Sequence, residues 1–188
     1  NGGRLDNPHI AGNAAEHSGG GLYLYGLTAR GTATHATVQG NVAGIRGGGV
    51  YATYAGRVQN SIVYYNQAPL GPNVFTDSAG PQYVACCTTP MPPAGASGVI
   101  TNEPLLPGAR NPHLLAASPC REAGSNVLTV GIAVDVDAEP RTNGAAVDMG
   151  CDEYWPGGMT GGLSVAIAAS YTTAVVDTVL PFTSAVQG

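Results

Sequence analysis

The chain contains no lysine: its seven basic residues, Arg4, Arg30, Arg46, Arg57, Arg110, Arg121 and Arg141, are all arginine. Charge of either sign is scarce, at 10% of 188 residues with a formal net charge of −5, where a typical domain carries roughly 25%. No basic run occurs, and a nucleic-acid groove requires clustered positive charge, so nucleic acid is not an expected partner. No uninterrupted apolar stretch approaches the roughly 18 residues of a membrane span. Helical periodicity is missing as well. The 28 glycines and 14 prolines would destabilise helix interiors and instead predict many tight turns. The sequence has no initiator methionine and no signal peptide, opening at Asn1-Gly2-Gly3 within what reads as a repeat. This predicts a mature or cut piece of a longer exported precursor, with further coils upstream.

With few charged side chains, the surface must be built from Gly, Ser, Thr, Asn and Tyr. Fewer long flexible side chains means less ordering entropy lost when surfaces meet, which suits packing against copies of itself or against carbohydrate. Hydrophobic residues make up 44%, enough for a core.

The most informative pattern is an internal repeat. Ile10-Ala11-Gly12-Asn13 leads to Gly19-Gly20-Gly21-Leu22-Tyr23-Leu24-Tyr25-Gly26, and Val38-Gln39-Gly40-Asn41 leads to Gly47-Gly48-Gly49-Val50-Tyr51-Ala52-Thr53-Tyr54, displaced by 28 residues. A third copy begins at Val58-Gln59-Asn60-Ser61-Ile62-Val63-Tyr64-Tyr65-Asn66 and then diverges. Alternation of period two in Leu22–Tyr25 points the leucines inward and the tyrosines outward. Stacking the units places Leu22 over Val50 and Leu24 over Ala52, and Asn13, Asn41 and Asn66 at equivalent bends, where their amides can bond along a ladder. The fold class this predicts is all-β: a right-handed parallel β-helix over 1–155, with irregular C-terminal coils and a cap, followed by a Gly/Pro linker and β-strand tail over 156–188.

From Ala68 to Pro112 prolines multiply and the repeat decays, predicting loop with isolated strands. Leu114–Cys120, Ala133–Asp137 and Ala146–Gly150 read as further short strands. In the tail, Leu163–Tyr171 and Ala174–Leu180 read as a hairpin turning at Thr172-Thr173, too short to be a β-sandwich alone.

Ser118-Pro119-Cys120-Arg121-Glu122-Ala123-Gly124, Asp135-Val136-Asp137-Ala138-Glu139-Pro140-Arg141 and Asp148-Met149-Gly150-Cys151-Asp152-Glu153-Tyr154 together resemble the end of bacterial right-handed β-helix surface proteins of the choice-of-anchor Q group. Asn60–Tyr64 and Cys87-Thr88-Thr89-Pro90 resemble that group too, and the tail is similar to the opening of an Ig/PKD-like sandwich. Glu122, Ala138 and Cys151 depart from the group's usual Asp, Gly and Ala. The resemblance implies the fold and an extracellular, cell-surface location; it implies little about activity.

No catalytic residue is assigned, and the chain reads as a non-enzyme. Glycoside hydrolysis needs paired carboxylates, and residues 1–80 offer only Asp6, Glu16 and Asp77. His9, His17, His35 and His113 are scattered, reading as surface or corner histidines. The best acidic pair, Asp135 and Asp137, is a weak Ca²⁺ candidate; the plainer reading is a turn, with Arg141 paired to Asp148 or Glu153. No cofactor is otherwise expected. Cys86, Cys87, Cys120 and Cys151 do not match a zinc ribbon and are disulfide candidates, as two bridges, or one bridge and two thiols, with four buried thiols as the alternative. Tyr23, Tyr25, Tyr51, Tyr54, Tyr64 and Tyr65 form a candidate outer stripe. Tyr23, Tyr25, Tyr51 and Tyr54, with Leu163, Val165, Ile167, Val175 and Val179 of the tail, are the interface candidates. The functional expectation is an extracellular structural solenoid subunit that self-associates by strand exchange or end-to-end stacking into a filament. Alternatives are an adhesive glycan-binding module, or a fragment of a polysaccharide lyase or hydrolase with catalytic coils upstream.

Overall fold

A computed structural model describes residues 3–26, 31–93, 95–157, 164–169 and 182–187. It is a parallel β-solenoid of about three turns, nearly all β. The first coil carries β1 (Arg4–Asp6), β2 (His9–Ala11), β3 (Ala14–Ala15) and β4 (Leu22–Gly26). The second repeats it as β5 (Thr32–Thr34), β6 (Thr37–Gln39), β7 (Val42–Ala43) and β8 (Val50–Tyr54). The third has β9 (Arg57–Gln59), β10 (Ile62–Tyr64) and β11 (Val74–Thr76), and β12 (Gln82–Val84), β13 (Cys87–Thr88) and β14 (Ala96–Ser97) extend the stack.

Three principal sheets run along it, in the orders β1-β5-β9-β12-β14, β2-β6-β10-β13 and β4-β8-β11, every pair parallel. The register stacks like on like. Leu22 lies over Val50 and Val74, and Leu24 over Ala52, as the repeat predicts. Ile10, Val38 and Val63 form another column, and Ala33, Val58 and Tyr83 a third. Leu24, Val38, Val50, Val58, Val63 and Tyr83 are among the buried residues of this internal core.

The repeat persists further than its letters suggest. Paired residues are 28 apart between the first two coils, 24 or 25 apart in the next two (Thr37 to Ile62, Val50 to Val74, Arg57 to Gln82), and 13 apart at the last pairing, Tyr83 with Ala96. Three positions are lost at one place, six separating Gly26 from Thr32 and three separating Tyr54 from Arg57, and one more is lost between Gln67 and Leu70, which pair with Val42 and Arg46. The proline-rich stretch after Ala68, expected to be loop with isolated strands, therefore keeps its strands in ladder register.

The asparagine row exists and is longer than predicted. Asn13 donates from its backbone and side-chain nitrogens to Asn41 Oδ1 at 2.9 and 3.0 Å, and Asn41 does the same to Asn66 Oδ1. Asn66 continues to Asn73 Oδ1 at 3.0 and 3.1 Å, and Asn73 Nδ2 ends the row on the Thr89 carbonyl. Coils approach so closely here that a Cβ on Gly49 would stand 2.6 Å from both Asn66 Nδ2 and the Asn73 carbonyl. Only glycine leaves room for the amide row.

Residues 105–155 add no further coil. The strands anticipated at Leu114–Cys120, Ala133–Asp137 and Ala146–Gly150 do not form; the segment is irregular, with one 3₁₀ turn at Asn126–Thr129. It lies along the flank of the stack, over the outer face of the β2-β6-β10-β13 sheet. There Ile62 and Cys87 pack with Leu106, Leu114, Cys120 and Met149 in a second core. That sheet is thus buried on both faces, which is why Thr37, Val38 and Gln39 of β6 are all fully buried. In the tail, backbone strands β15 (Ser164–Ala169) and β16 (Phe182–Gln187) pair antiparallel. The partner of the first tail strand thus lies beyond the stretch assigned from sequence, and 174–180 falls outside the described residues.

Replacing Asn66 by Ala strips the acceptor from both Asn41 nitrogens and the donor from the Val38 and Tyr64 carbonyls. Loss of a buried multiply bonded amide costs on the order of 3 kcal/mol. Asn13→Ala, at the exposed end of the row, costs about 1 kcal/mol or less. Urea midpoints of the two variants check the ordering; equal losses would contradict it.

Candidate functional site

One corner recurs in every coil. Asn7, His35, Asn60 and Ala85 stand between the strands of the first two sheets with φ of 51°, 52°, 45° and 52°. A left-handed turn at each coil swings these side chains outward onto the flank, where the first three hold the 105–155 segment. Asn7 Nδ2 donates to the Val134 carbonyl at 2.6 Å. Asn60 exchanges bonds with Ser125, donating to its carbonyl at 3.0 Å and accepting from its N–H at 2.8 Å. His35 Nε2 meets Thr129 Oγ1 at 3.0 Å, and its Nδ1 receives Arg141 Nη2.

Arg141 is fully buried, although among the described residues no carboxylate pairs with it within ion-pair distance. The pairing expected with Asp148 or Glu153 is replaced by bonds from Nη2 to the main-chain carbonyls of Asp148 and Gly150 and to His35. Geometry explains this, because both carboxylates are already committed to backbone N–H groups. Asp148 accepts from Glu122 at 2.6 Å and Tyr154 at 2.7 Å. Glu153 accepts from Asn143 and from Asp148, each at 3.0 Å. Asp135 accepts from Asp137, Glu139 and Glu153 at 2.9, 3.0 and 3.0 Å. An irregular buried segment has no ladder to satisfy its N–H groups, and each one left unpaired is costly; carboxylates take the ladder's place.

The alternation at Ala133–Asp137 is real but inverted. Val134 and Val136 face solvent, Asp135 is buried and Asp137 is half-buried. Asp135 and Asp137 therefore do not form a two-carboxylate cup. Asp137 turns to His113, whose Nε2 it meets at 2.6 Å, while His113 Nδ1 faces Asn111 Oδ1. Asp152 completes a cluster in which one ligand atom from each of His113, Asp137 and Asp152 lies within 4.8 Å of the others. Asp152 Oδ2 accepts from Leu114 N at 2.8 Å, and Oδ1 has no hydrogen-bond partner. Burial, with Asp135 and Asp137 nearby, pushes Asp152 up to about 6, and burial pushes Glu153 up to about 7.

On the opposite side lies the aromatic stripe, which the structure divides. Tyr23, Tyr51 and Phe75 stack in register, with ring centroids 4.8 and 5.8 Å apart. Tyr25 meets Tyr54 edge-on at 5.3 Å. Tyr23 and Tyr25 are 51% and 53% exposed, but Tyr51 is covered by its neighbours, with Arg46 over its ring and its hydroxyl on Asp77. Tyr64 and Tyr65 belong to the β10 region and pair with each other beside Glu103. A cleft of about 300 Å³ opens beside the stripe at the first coil, floored by Leu5, Leu22 and Leu24. Of the tail candidates, Leu163, Val175 and Val179 lie outside the described residues, and Val165 and Ile167 are described only as β15 backbone.

The four cysteines are buried and unbonded, so neither expected bridge is present. Cys86 sits in the internal core; Cys87 and Cys120 share the second core. Burial raises the Cys86 and Cys151 thiols to about 12, and the Cys120 thiol beside it, with burial, raises Cys87. Among the histidines, His17 is exposed and His9 half-buried, whereas His35 and His113 are buried, contrary to a surface reading. The corner residues were visible in principle: Asn7, His35, Asn60 and Ala85 recur at the coil spacing, although only Asn7 and Asn60 share a letter. No family model, no curated protein and no solved structure matches the chain.

Burial first, then Arg141, lowers His35 to about 3. Its unfolded value is near 6.5, so the unfolded chain binds the extra proton and His35's contribution is complete above pH ~6.5 and lost as pH falls toward about 3. The raised carboxylates act in the opposite sense but are common to wild type and His35→Gln. The stability advantage of wild type over His35→Gln should therefore shrink steadily from pH 7 to pH 4 in urea titrations. A pH-independent difference would refute the neutral-ring assignment.

Proposed function

We propose that this chain is an extracellular structural solenoid, a surface-displayed subunit that stacks end to end with copies of itself. One observation carries the reading. Among the described residues, β4 and β11 each have one neighbour only, at opposite ends of the same parallel sheet, and β1 and β2 likewise present a free edge. Joining β11 of one copy to β4 of the next continues the polarity and side-chain columns already used within the chain. Such a head-to-tail contact does not close on itself and propagates as a filament. The leucine-floored cleft at the first coil supplies apolar surface for the same junction. The resemblance of the C-terminal motifs to bacterial surface solenoids, and the scarcity of charge, support the location. No catalytic role is assigned to any residue.

We propose that in an oxidising compartment Cys87 and Cys120, which share the second core, form one bridge while Cys86 and Cys151 remain thiols.

A second reading is favoured by Tyr23 and Tyr25, whose rings are 51% and 53% exposed and can receive sugar rings. Retention on polysaccharide gels, lost in Tyr23→Ala and Tyr25→Ala, would favour adhesion over assembly.

The assembly reading predicts concentration-dependent filaments in electron micrographs of the full chain. Leu5→Lys, which sets a charge on the free edge of β1, should disperse them with the circular dichroism spectrum unchanged. A wild-type protein that stays monomeric at every concentration would overturn it.

A further inference from the structure

The cluster on the flank has the makings of a cation site, independent of whether the chain assembles. His113, Asp137 and Asp152 come from three separate stretches of the irregular segment. They are gathered at one point. Three features distinguish this from an ordinary ion pair. First, the donors are one imidazole nitrogen and two carboxylate oxygens mutually within 4.8 Å, with His113 and Asp152 buried. Second, Asp152 is 3% exposed, yet its Oδ1 has no hydrogen-bond partner. An unpaired buried carboxylate oxygen is expensive, and the one N–H that reaches Asp152, from Leu114, is taken by Oδ2. Third, His113 Nδ1 faces Asn111 Oδ1. With a proton fixed on Nδ1 by that amide, Nε2 is the nitrogen that faces Asp137, the orientation that outer-shell partners impose on metal-binding histidines.

We propose that His113 Nε2, Asp137 and Asp152 bind a divalent transition-metal ion of the zinc class, which pins the flanking segment to itself. Ligand chemistry selects the ion. Calcium takes six to eight oxygens, and here a further nearby carboxylate, Asp135, is consumed by three backbone N–H groups. One imidazole with two carboxylates suits Zn²⁺ or Co²⁺ in four-coordination, with water as the fourth ligand reaching in past half-buried Asp137. Binding replaces a proton: the hydrogen shared between His113 Nε2 and Asp137 leaves to solvent, and the metal occupies its place between them. Side-chain rotation draws the oxygens in from their present separation.

The test uses the full chain, stripped of metal, and Zn²⁺, Co²⁺ and Ca²⁺ as probes. One equivalent of Zn²⁺ should bind by calorimetry, and excess should raise the thermal midpoint by about 5 °C or more at hundredfold over Kd. Ca²⁺ should leave the midpoint unchanged. Asp137→Asn, at the half-buried position, should abolish the Zn²⁺ shift. Should that variant fail to fold, Co²⁺ spectroscopy of the wild type decides. Tetrahedral d–d bands without thiolate charge transfer support the site. No Zn²⁺ binding, an undiminished shift in Asp137→Asn, or a thiolate-to-cobalt band pointing to the cysteines would each overturn it.

Discussion

Parallel stacking in strict register is the constraint on which the rest of the molecule depends. Because each coil lies directly over the last, every position becomes a column, and a side chain is selected for what sits above and below it. Apolar columns fill the interior. The asparagine column solves a harder problem, satisfying backbone N–H groups at a bend where the ladder is interrupted, and it does so with one residue type repeated. The glycines beside it are the geometric condition for that solution, since any Cβ would occupy space taken by the next coil.

A column of left-handed corners creates the second level of organisation. Its side chains have unlike chemistry, Asn, His, Asn and Ala; Asn60 Nδ2 meets His35 Nε2 at 3.1 Å, and three of the four bind the flank. The flank has no periodicity, and its backbone is held by buried Asp135, Asp148, Asp152 and Glu153, each accepting main-chain N–H groups. This accounts for an otherwise odd feature of the composition: a chain so poor in charge spends several of its carboxylates inside. Arg141 lies among them without direct pairing, compensating their charge through the surrounding field while bonding to carbonyls.

The legibility of the sequence follows the same division. Leu22–Tyr25 and Val50–Tyr54 announced their strands, parity and register, because period-two alternation and stacking are local rules. The third copy and its extension to Thr88 were harder to read. A three-residue change in coil length between Gly26 and Thr32 broke the visible period without breaking the ladder. Val134–Asp137 misled for a physical reason: alternation reports two faces but does not say which is buried, and here hydrogen-bonding demand outweighs hydrophobicity. The His113–Asp137–Asp152 cluster left no trace in spacing. Its members are 24 and 15 residues apart in irregular chain, and only the path of the flank brings them together.

Solenoids ordinarily behave as one-dimensional stacks, in which a terminal coil can fray with little consequence for those beyond its neighbour. The flank changes that. A continuous strap touches the corner of the first coil through Val134, the second through Arg141 and Thr129, and the third through Ser125. Detaching the first coil therefore loosens the strap over the others, and the array unravels as a single body rather than layer by layer. Such bracing turns a stack that could be peeled from its end by force or protease into one that yields only all at once.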